Sequence, residues 1–99
     1  MKELTKEQFK QEIEALVAQD RHFNVESDDA PVRLIMYGCV IEVDFDCGID
    51  GVMTVHKPNT GMEVELDFSV IDTIEKEDEG SYRLTFNNGM SDAVIDIVW

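Results

Sequence analysis

The sequence is poor in basic residues. Eight lysines and arginines stand against 22 aspartates and glutamates in 99 residues, which gives a formal net charge of −14 at pH 7. An electrostatic field of this sign repels nucleic acids and anionic membranes and attracts basic surfaces. Direct nucleic-acid binding and attachment to an anionic membrane are therefore disfavoured, and a basic protein becomes the expected class of partner.

Residues that commonly carry catalysis or bind metals are also scarce. The chain has two histidines, His22 and His56, and two cysteines, Cys39 and Cys47, with no CxxC, HxxxH or HExxH spacing among them. Zinc needs three or four such ligands that converge, so we expect no zinc site. Both cysteines are predicted on the apolar face of a strand, where a thiol acts as a small hydrophobe. No glycine-rich phosphate loop occurs either, and we expect no enzyme and no cofactor.

One acidic segment, residues 44–51, deserves comparison with calcium-binding loops because Asp44, Asp46 and Asp50 lie close to glycines. An EF-hand loop that began at Asp46 would place Gly48 at its third position and Lys57 at its twelfth, where ligands are required. The EF-hand is therefore excluded. Weak, irregular calcium binding stays open, and an exposed hairpin tip is the favoured interpretation.

Long apolar runs are missing as well. No segment approaches the length needed to cross a bilayer, and the first residues show no basic segment followed by an apolar one. The length is typical of one domain, residues 1–99. We therefore expect a soluble, cytoplasmic protein with reduced thiols.

A single amphipathic helix is predicted in the first part of the domain, residues 1–23. Thr5 is a good N-cap and Gln8 follows three residues later, which is the pattern of a capping box. Apolar residues then recur at helical spacing and form one stripe, which consists of Phe9, Ile13, Leu16 and Val17. The stripe indicates a helix that covers a sheet.

An antiparallel sheet is predicted over residues 31–99, after a polar loop at 21–31. Apolar residues there alternate with polar ones, which indicates strands at 32–37, 39–47, 52–56, 62–68, 82–86 and 93–99. Gly38 is either a turn or a bulge within one long strand. Residues 75–80 are predicted to form an acidic turn, and Asn88 and Gly89 a tight hairpin. Because the connections are short, we expect an α+β fold with the helix on an antiparallel meander of five to six strands, which can curl toward a barrel.

Acidic residues recur at every second position on two predicted strands. Such residues point to one face and lie about 6–7 Å apart, comparable with successive phosphates on a nucleic-acid strand. Like charges side by side on a sheet cost stability, which favours a functional reason for them, and a merely solvated outer face is the alternative. A further acidic cluster falls in the predicted turn. The candidate partner-binding residues are Glu42, Asp44, Asp46, Glu63, Glu65, Asp67, Glu75, Glu77, Asp78 and Glu79.

In size, charge and lack of catalytic motifs, the chain resembles phage-encoded inhibitors of bacterial defence, such as anti-CRISPR proteins and other DNA mimics. It also resembles immunity proteins that cap basic nuclease toxins. The resemblance implies an inhibitor that occupies a basic, nucleic-acid-binding surface of its target. This hypothesis requires the two rows of acids to share one continuous face.

The alternative is a non-catalytic structural or assembly module, such as a small β-barrel or a PH-like sheet, that self-associates as a homodimer or within a larger particle. It requires an exposed apolar patch on the outer face. Ile35, Tyr37 and Val40 are the candidates for such a patch.

Overall fold

The computed structural model describes residues 2–29, 32–87 and 92–98, without the side chains of residues 28, 29 and 32–34. It confirms an α+β fold in which one helix accompanies an antiparallel sheet. Within these ranges the sheet has eight strands, so the predicted five to six were too few. The elements are β1 (Lys2–Glu3), α1 (Lys6–Ala18), β2 (His22–Asp29), β3 (Val32–Asp44), β4 (Val52–Lys57), β5 (Met62–Asp67), a 3₁₀ turn (Phe68–Val70), β6 (Ile71–Asp78), β7 (Ser81–Phe86) and β8 (Asp92–Val98).

Helix α1 begins as the sequence predicts. The backbone N–H of Gln8 donates to the Thr5 side chain over 3.1 Å, and the backbone N–H of Thr5 donates to the Gln8 side chain over 2.9 Å. Phe9 and Ile13 are fully buried, so the predicted apolar stripe faces the sheet. Among the described residues, no helix is long and apolar enough to cross a membrane.

Two segments predicted as a loop and a turn are strands instead. Residues 22–29 form β2, which pairs with β3 on one side and β8 on the other. Residues 75–78 belong to β6, and residues 75, 76 and 78 pair with β7, so the predicted acidic turn shrinks to residues 79 and 80. Both segments are rich in polar residues, and their neighbouring strands outweigh that local preference. The predicted hairpin at Asn88 and Gly89 lies outside the described residues.

Strand β3 resolves the two interpretations of Gly38 in favour of one long strand with a bulge. Its pairing register with β2 shifts between Phe23 and Val25, opposite this position. Gly38 adopts a φ of +67°, a conformation that glycine adopts at little cost, and its N–H donates to the Asn24 side chain over 3.0 Å. The extra residue resets the alternation, so Met36 and Cys39, three residues apart, both point into the core.

The strand order shows that the sheet is curled. Its order is β1-β6-β7-β8-β2-β3-β4-β5, so six strand spacings, about 29 Å if flat, separate β6 from β5. Yet only Phe68–Val70 join these two strands, and such a connection spans at most about 14 Å. The sheet must therefore bend back on itself. In the described part of the chain it is not closed into a barrel, and it combines two meanders, β2 to β5 and β6 to β8, rather than one.

The core lies on the concave side of the sheet, beneath α1. Phe9 packs edge-to-face against Phe68 and Tyr82, with ring centroids 6.4 and 5.6 Å apart. The Glu12 carboxylate accepts hydrogen bonds from the Tyr82 hydroxyl (3.0 Å) and from the Lys76 ammonium (2.8 Å). Burial and this hydrogen bond raise the pKa of Tyr82. These contacts fix the helix on the concave side and leave the convex side of the sheet to solvent or partners.

Candidate functional site

The pairing register of β3, β4 and β5 brings the two predicted rows of acids together. Glu42 lies opposite Thr54, and Thr54 lies opposite Glu65 on the far side of β4. In the same way, Asp44 on β3 lies opposite Val52 on β4, and Val52 lies opposite Asp67 on β5. Since directly opposite residues point to the same face, these carboxylates share the convex side of the sheet. We call Glu42, Asp44, Glu63, Glu65 and Asp67 the acidic face.

The acidic face has the regular spacing of a β-sheet. Successive acids on one strand lie about 6.7 Å apart, and the rows on β3 and β5 are two strand spacings, about 10 Å, apart. Glu42, Asp44, Glu63 and Glu65 are exposed, whereas Asp67 is half-buried at the end of β5. An open cleft crosses the centre of the face over β4. The carboxylates therefore form two parallel rows that a single basic surface can contact.

One end of the acidic face is held by the turn that follows β3. The Asp44 carboxylate accepts from the N–H of Asp46 (2.9 Å) and from the thiol of Cys47 (3.2 Å), and these bonds lower the pKa of Asp44. Asp67 accepts from the backbone N–H groups of Ser69 (2.9 Å) and Ile49 (3.1 Å), which likewise lower the pKa of Asp67. Both carboxylates are thereby kept ionised and oriented.

In the described part of the chain, the ion pairs of lysine and arginine involve acids that lie outside the acidic face. Among the described residues, the imidazole of His56 is the base within ion-pair distance of the acidic face, with its Nε2 3.7 Å from Glu42 Oε1. The charge of this face is therefore left largely unneutralised. The pairs formed elsewhere are Lys6–Asp50, Lys10–Glu14, Lys76–Glu12, Arg83–Glu77 and Arg83–Asp92.

The remaining candidate residues do not join the acidic face. Asp46 is exposed in the turn beyond the end of β3, next to the face. Glu75, Glu77 and Asp78 lie on β6, near the opposite end of the strand order, and Glu79 follows in the turn. Glu77 pairs with Arg83, and Asp78 accepts from the N–H of Gly80 over 2.8 Å. The second acidic cluster thus lies outside the three paired strands that carry the acidic face, and part of it is engaged in local structure.

His56 and Thr54 belong to this surface, although the acid pattern alone did not single them out. Met53 and Val55 are buried, so Val52, Thr54 and His56 alternate with them toward the convex side. The alternation of apolar and other residues along β4 predicts from the sequence that Thr54 and His56 point outward. Only the pairing register, however, shows that they lie between the two rows of acids.

The surroundings of both cysteines disfavour the thiolate form. Cys39 is buried, and burial raises the pKa of its thiol. Cys47 is exposed in the turn after β3, so its predicted place on a buried strand face was wrong. Its hydrogen bond to Asp44, together with the charge of that carboxylate, raises the pKa of the Cys47 thiol. Raised pKa values favour the protonated, weakly nucleophilic form.

Metal ligands do not converge in the described part of the chain. Within residues 2–29, 32–87 and 92–98, no group of three histidine, cysteine or carboxylate side chains is placed to hold a metal ion. Around the turn where weak calcium binding stayed open, Asp44 and Asp67 instead accept hydrogen bonds from backbone N–H groups.

Comparisons with models of protein families, with curated proteins and with solved structures find no match for this chain. Its function is therefore inferred from the surface itself, since a fold alone does not imply an activity.

Proposed function

We propose that this chain is a non-catalytic inhibitor that binds a basic, nucleic-acid-binding surface of a target protein through the acidic face. The observation that carries the proposal is the register of β3, β4 and β5, which aligns Glu42 with Glu65 and Asp44 with Asp67 across one strand. Two rows of fixed negative charge on a convex surface imitate the charge, not the bases, of a nucleic acid. The target is a nuclease or another nucleic-acid-binding protein.

The distribution of ion pairs supports this role. Elsewhere on the molecule, acids such as Glu12, Glu14 and Glu77 have lysine or arginine partners, whereas those of the acidic face do not in the described structure. Adjacent like charges on a sheet destabilise the folded state. A surface that bears this cost without compensation is suited to a partner that supplies the missing positive charge.

The chemistry of the chain supports a binding role rather than catalysis. The thiols of Cys39 and Cys47 have raised pKa values, and the described side chains provide no converging metal ligands. Both cysteines are free, which suits the reducing cytoplasm, and we place the action of the protein there. Binding driven by charge is fast, and salt weakens it.

A pull-down from host lysate tests the proposal. Tagged protein is incubated at low salt, and the retained proteins are identified and then eluted with increasing salt. We expect a basic nucleic-acid-binding protein that elutes with salt. Fluorescence anisotropy should then show that the chain displaces labelled nucleic acid from that protein.

A matched pair of triple variants locates the interaction. The variant Glu42→Gln, Glu63→Gln, Glu65→Gln removes three charges from the acidic face, whereas Glu7→Gln, Glu14→Gln, Glu79→Gln removes three exposed charges elsewhere. The first should lose capture and displacement, and the second should retain both. Equal behaviour of the two variants would show that net charge alone, rather than the acidic face, drives binding.

Self-association is a second candidate function, favoured by exposed apolar side chains on β3. Ile35 is 41% exposed and Tyr37 53% exposed, although the Tyr37 hydroxyl donates to Glu26 over 3.2 Å. In this case the chain would be a structural or assembly module. Sedimentation equilibrium should then show a dimer that Ile35→Ser, Tyr37→Ser dissociates. A monomer at all concentrations would exclude homodimerisation through this patch.

A further inference from the structure

Strand β5 forms an open edge of the sheet. It pairs with β4 through six consecutive residue pairs, and the described residues form no ladder on its other side. In an antiparallel strand, the N–H and C=O groups of alternate residues point away from the paired neighbour. The edge therefore presents a row of backbone donors and acceptors to which another strand can bind.

This edge lacks most of the features that protect exposed strands from pairing. Between Met62 and Asp67 there is no proline, glycine or lysine, and the register with β4 contains no bulge. The opposite edge differs, because β1 is two residues long and includes Lys2. The neighbour of β1, strand β6, has two register shifts in its pairing with β7. Of the two strands that end the sheet order in the described residues, β5 thus offers the longer and more regular edge.

The two faces of β5 define what could pair with it. Glu63 and Glu65 are exposed on the convex side, whereas Val64 and Leu66 are half-buried beside the core. Met62 is 52% exposed at the free end of the strand. An added strand would therefore place its own residues alternately beside carboxylates and beside apolar side chains.

From these features we infer that β5 binds an extended, basic segment of a partner protein by strand addition, in the stretch Met62–Leu66. The segment would alternate basic residues, placed beside Glu63 and Glu65, with apolar residues placed beside Val64 and Leu66. A second copy of this chain fits less well, because two β5 edges would bring like charges together. The inference rests on the proposed function and specifies how the partner is held.

Three synthetic peptides test strand addition. The first alternates lysine and valine over eight residues. In the second peptide the backbone amide nitrogens of all lysines are methylated, and in the third those of all valines. Each methylated peptide therefore lacks the backbone N–H donors along one edge of the strand, but its side-chain charges are unchanged. Affinity for the intact protein is measured by fluorescence anisotropy at low salt. Amide hydrogen exchange of β5 is followed by NMR spectroscopy.

Strand addition predicts that the first peptide binds and slows amide exchange between Met62 and Leu66. At least one methylated peptide should bind about tenfold more weakly or worse, because several hydrogen bonds are lost. The Glu63→Gln, Glu65→Gln variant should also bind the first peptide more weakly.

Equal binding of all three peptides, without protection of β5, would overturn strand addition and leave the charge-based proposal standing. Absence of binding by the first peptide at low salt would also overturn it. If strand addition occurs but no basic nucleic-acid-binding protein is captured from lysate, the proposed function fails and this inference survives.

Discussion

If the acidic face is retained for binding, removal of one of its charges should stabilise the protein. The best single substitution is Glu65→Gln, because Glu65 is exposed, lies between Glu63 and Asp67 along β5, and aligns with Glu42 across β4. Glutamine has nearly the same shape, so packing and strand pairing should be preserved.

The size of the effect follows from the geometry. Glu65 lies about 7 Å from both Glu63 and Asp67 on the same strand and about 10 Å from Glu42. In bulk water each of the first two repulsions amounts to about 0.6 kcal/mol and the third to about 0.4 kcal/mol. At low ionic strength their sum, about 1.6 kcal/mol, corresponds to a rise in Tm of up to about 6–13 °C for a domain of this size. At 0.15 M salt the Debye length is about 8 Å, and less than half of the gain should remain.

The assay is thermal unfolding monitored by circular dichroism at low and physiological ionic strength. Glu14→Gln is the matched control, because it removes the same charge from an exposed helical position that pairs with Lys10 over 3.3 Å. It should change Tm little or lower it. A Glu65→Gln variant that is no more stable than this control at low salt would refute the electrostatic reasoning.

Three further predictions concern the framework around the site. Glu12→Ala should lower the free energy of unfolding, measured by urea titration, by about 1–3 kcal/mol, because the Tyr82 hydroxyl and the Lys76 ammonium lose their acceptor. Adding Tyr82→Phe to this variant removes one of the two donors and should recover part of the loss. Backbone hydrogen bonds lower the pKa of Asp67 in the folded protein. Its ionised carboxylate therefore stabilises the fold fully above the pKa of aspartate in the unfolded chain, and this stabilisation is lost as the pH falls through the lower pKa of the folded state. Asp67→Asn should therefore flatten the dependence of stability on pH below about pH 4. Gly48→Ala should destabilise more than Gly38→Ala. Both glycines have positive φ, which costs alanine about 1–2 kcal/mol, but only at Gly48 would the added Cβ collide with the Asp67 carboxylate.

Local sequence signals determined much of the fold. The capping box at Thr5 and the 3.6-residue stripe through Phe9 and Ile13 predicted α1 because capping and amphipathic burial are properties of a few consecutive residues. Alternation predicted β4 and β5 and placed Glu63 and Glu65 on an outer face, because side-chain direction in a strand has a strict period of two.

Only the tertiary structure decided which strands are neighbours. β2 was missed because its residues, from His22 to Asp29, are largely polar, and its strand conformation depends on pairing with β3 and β8, which no local pattern reveals. The composition of the candidate site likewise depends on which strands pair. The sequence by itself determined that Glu42 and Glu65 point outward from their strands, whereas the insertion of β4 between those strands decided that they belong to one surface. Pairing is a long-range property, set by the closure of the core, and it determines which charges face a partner together.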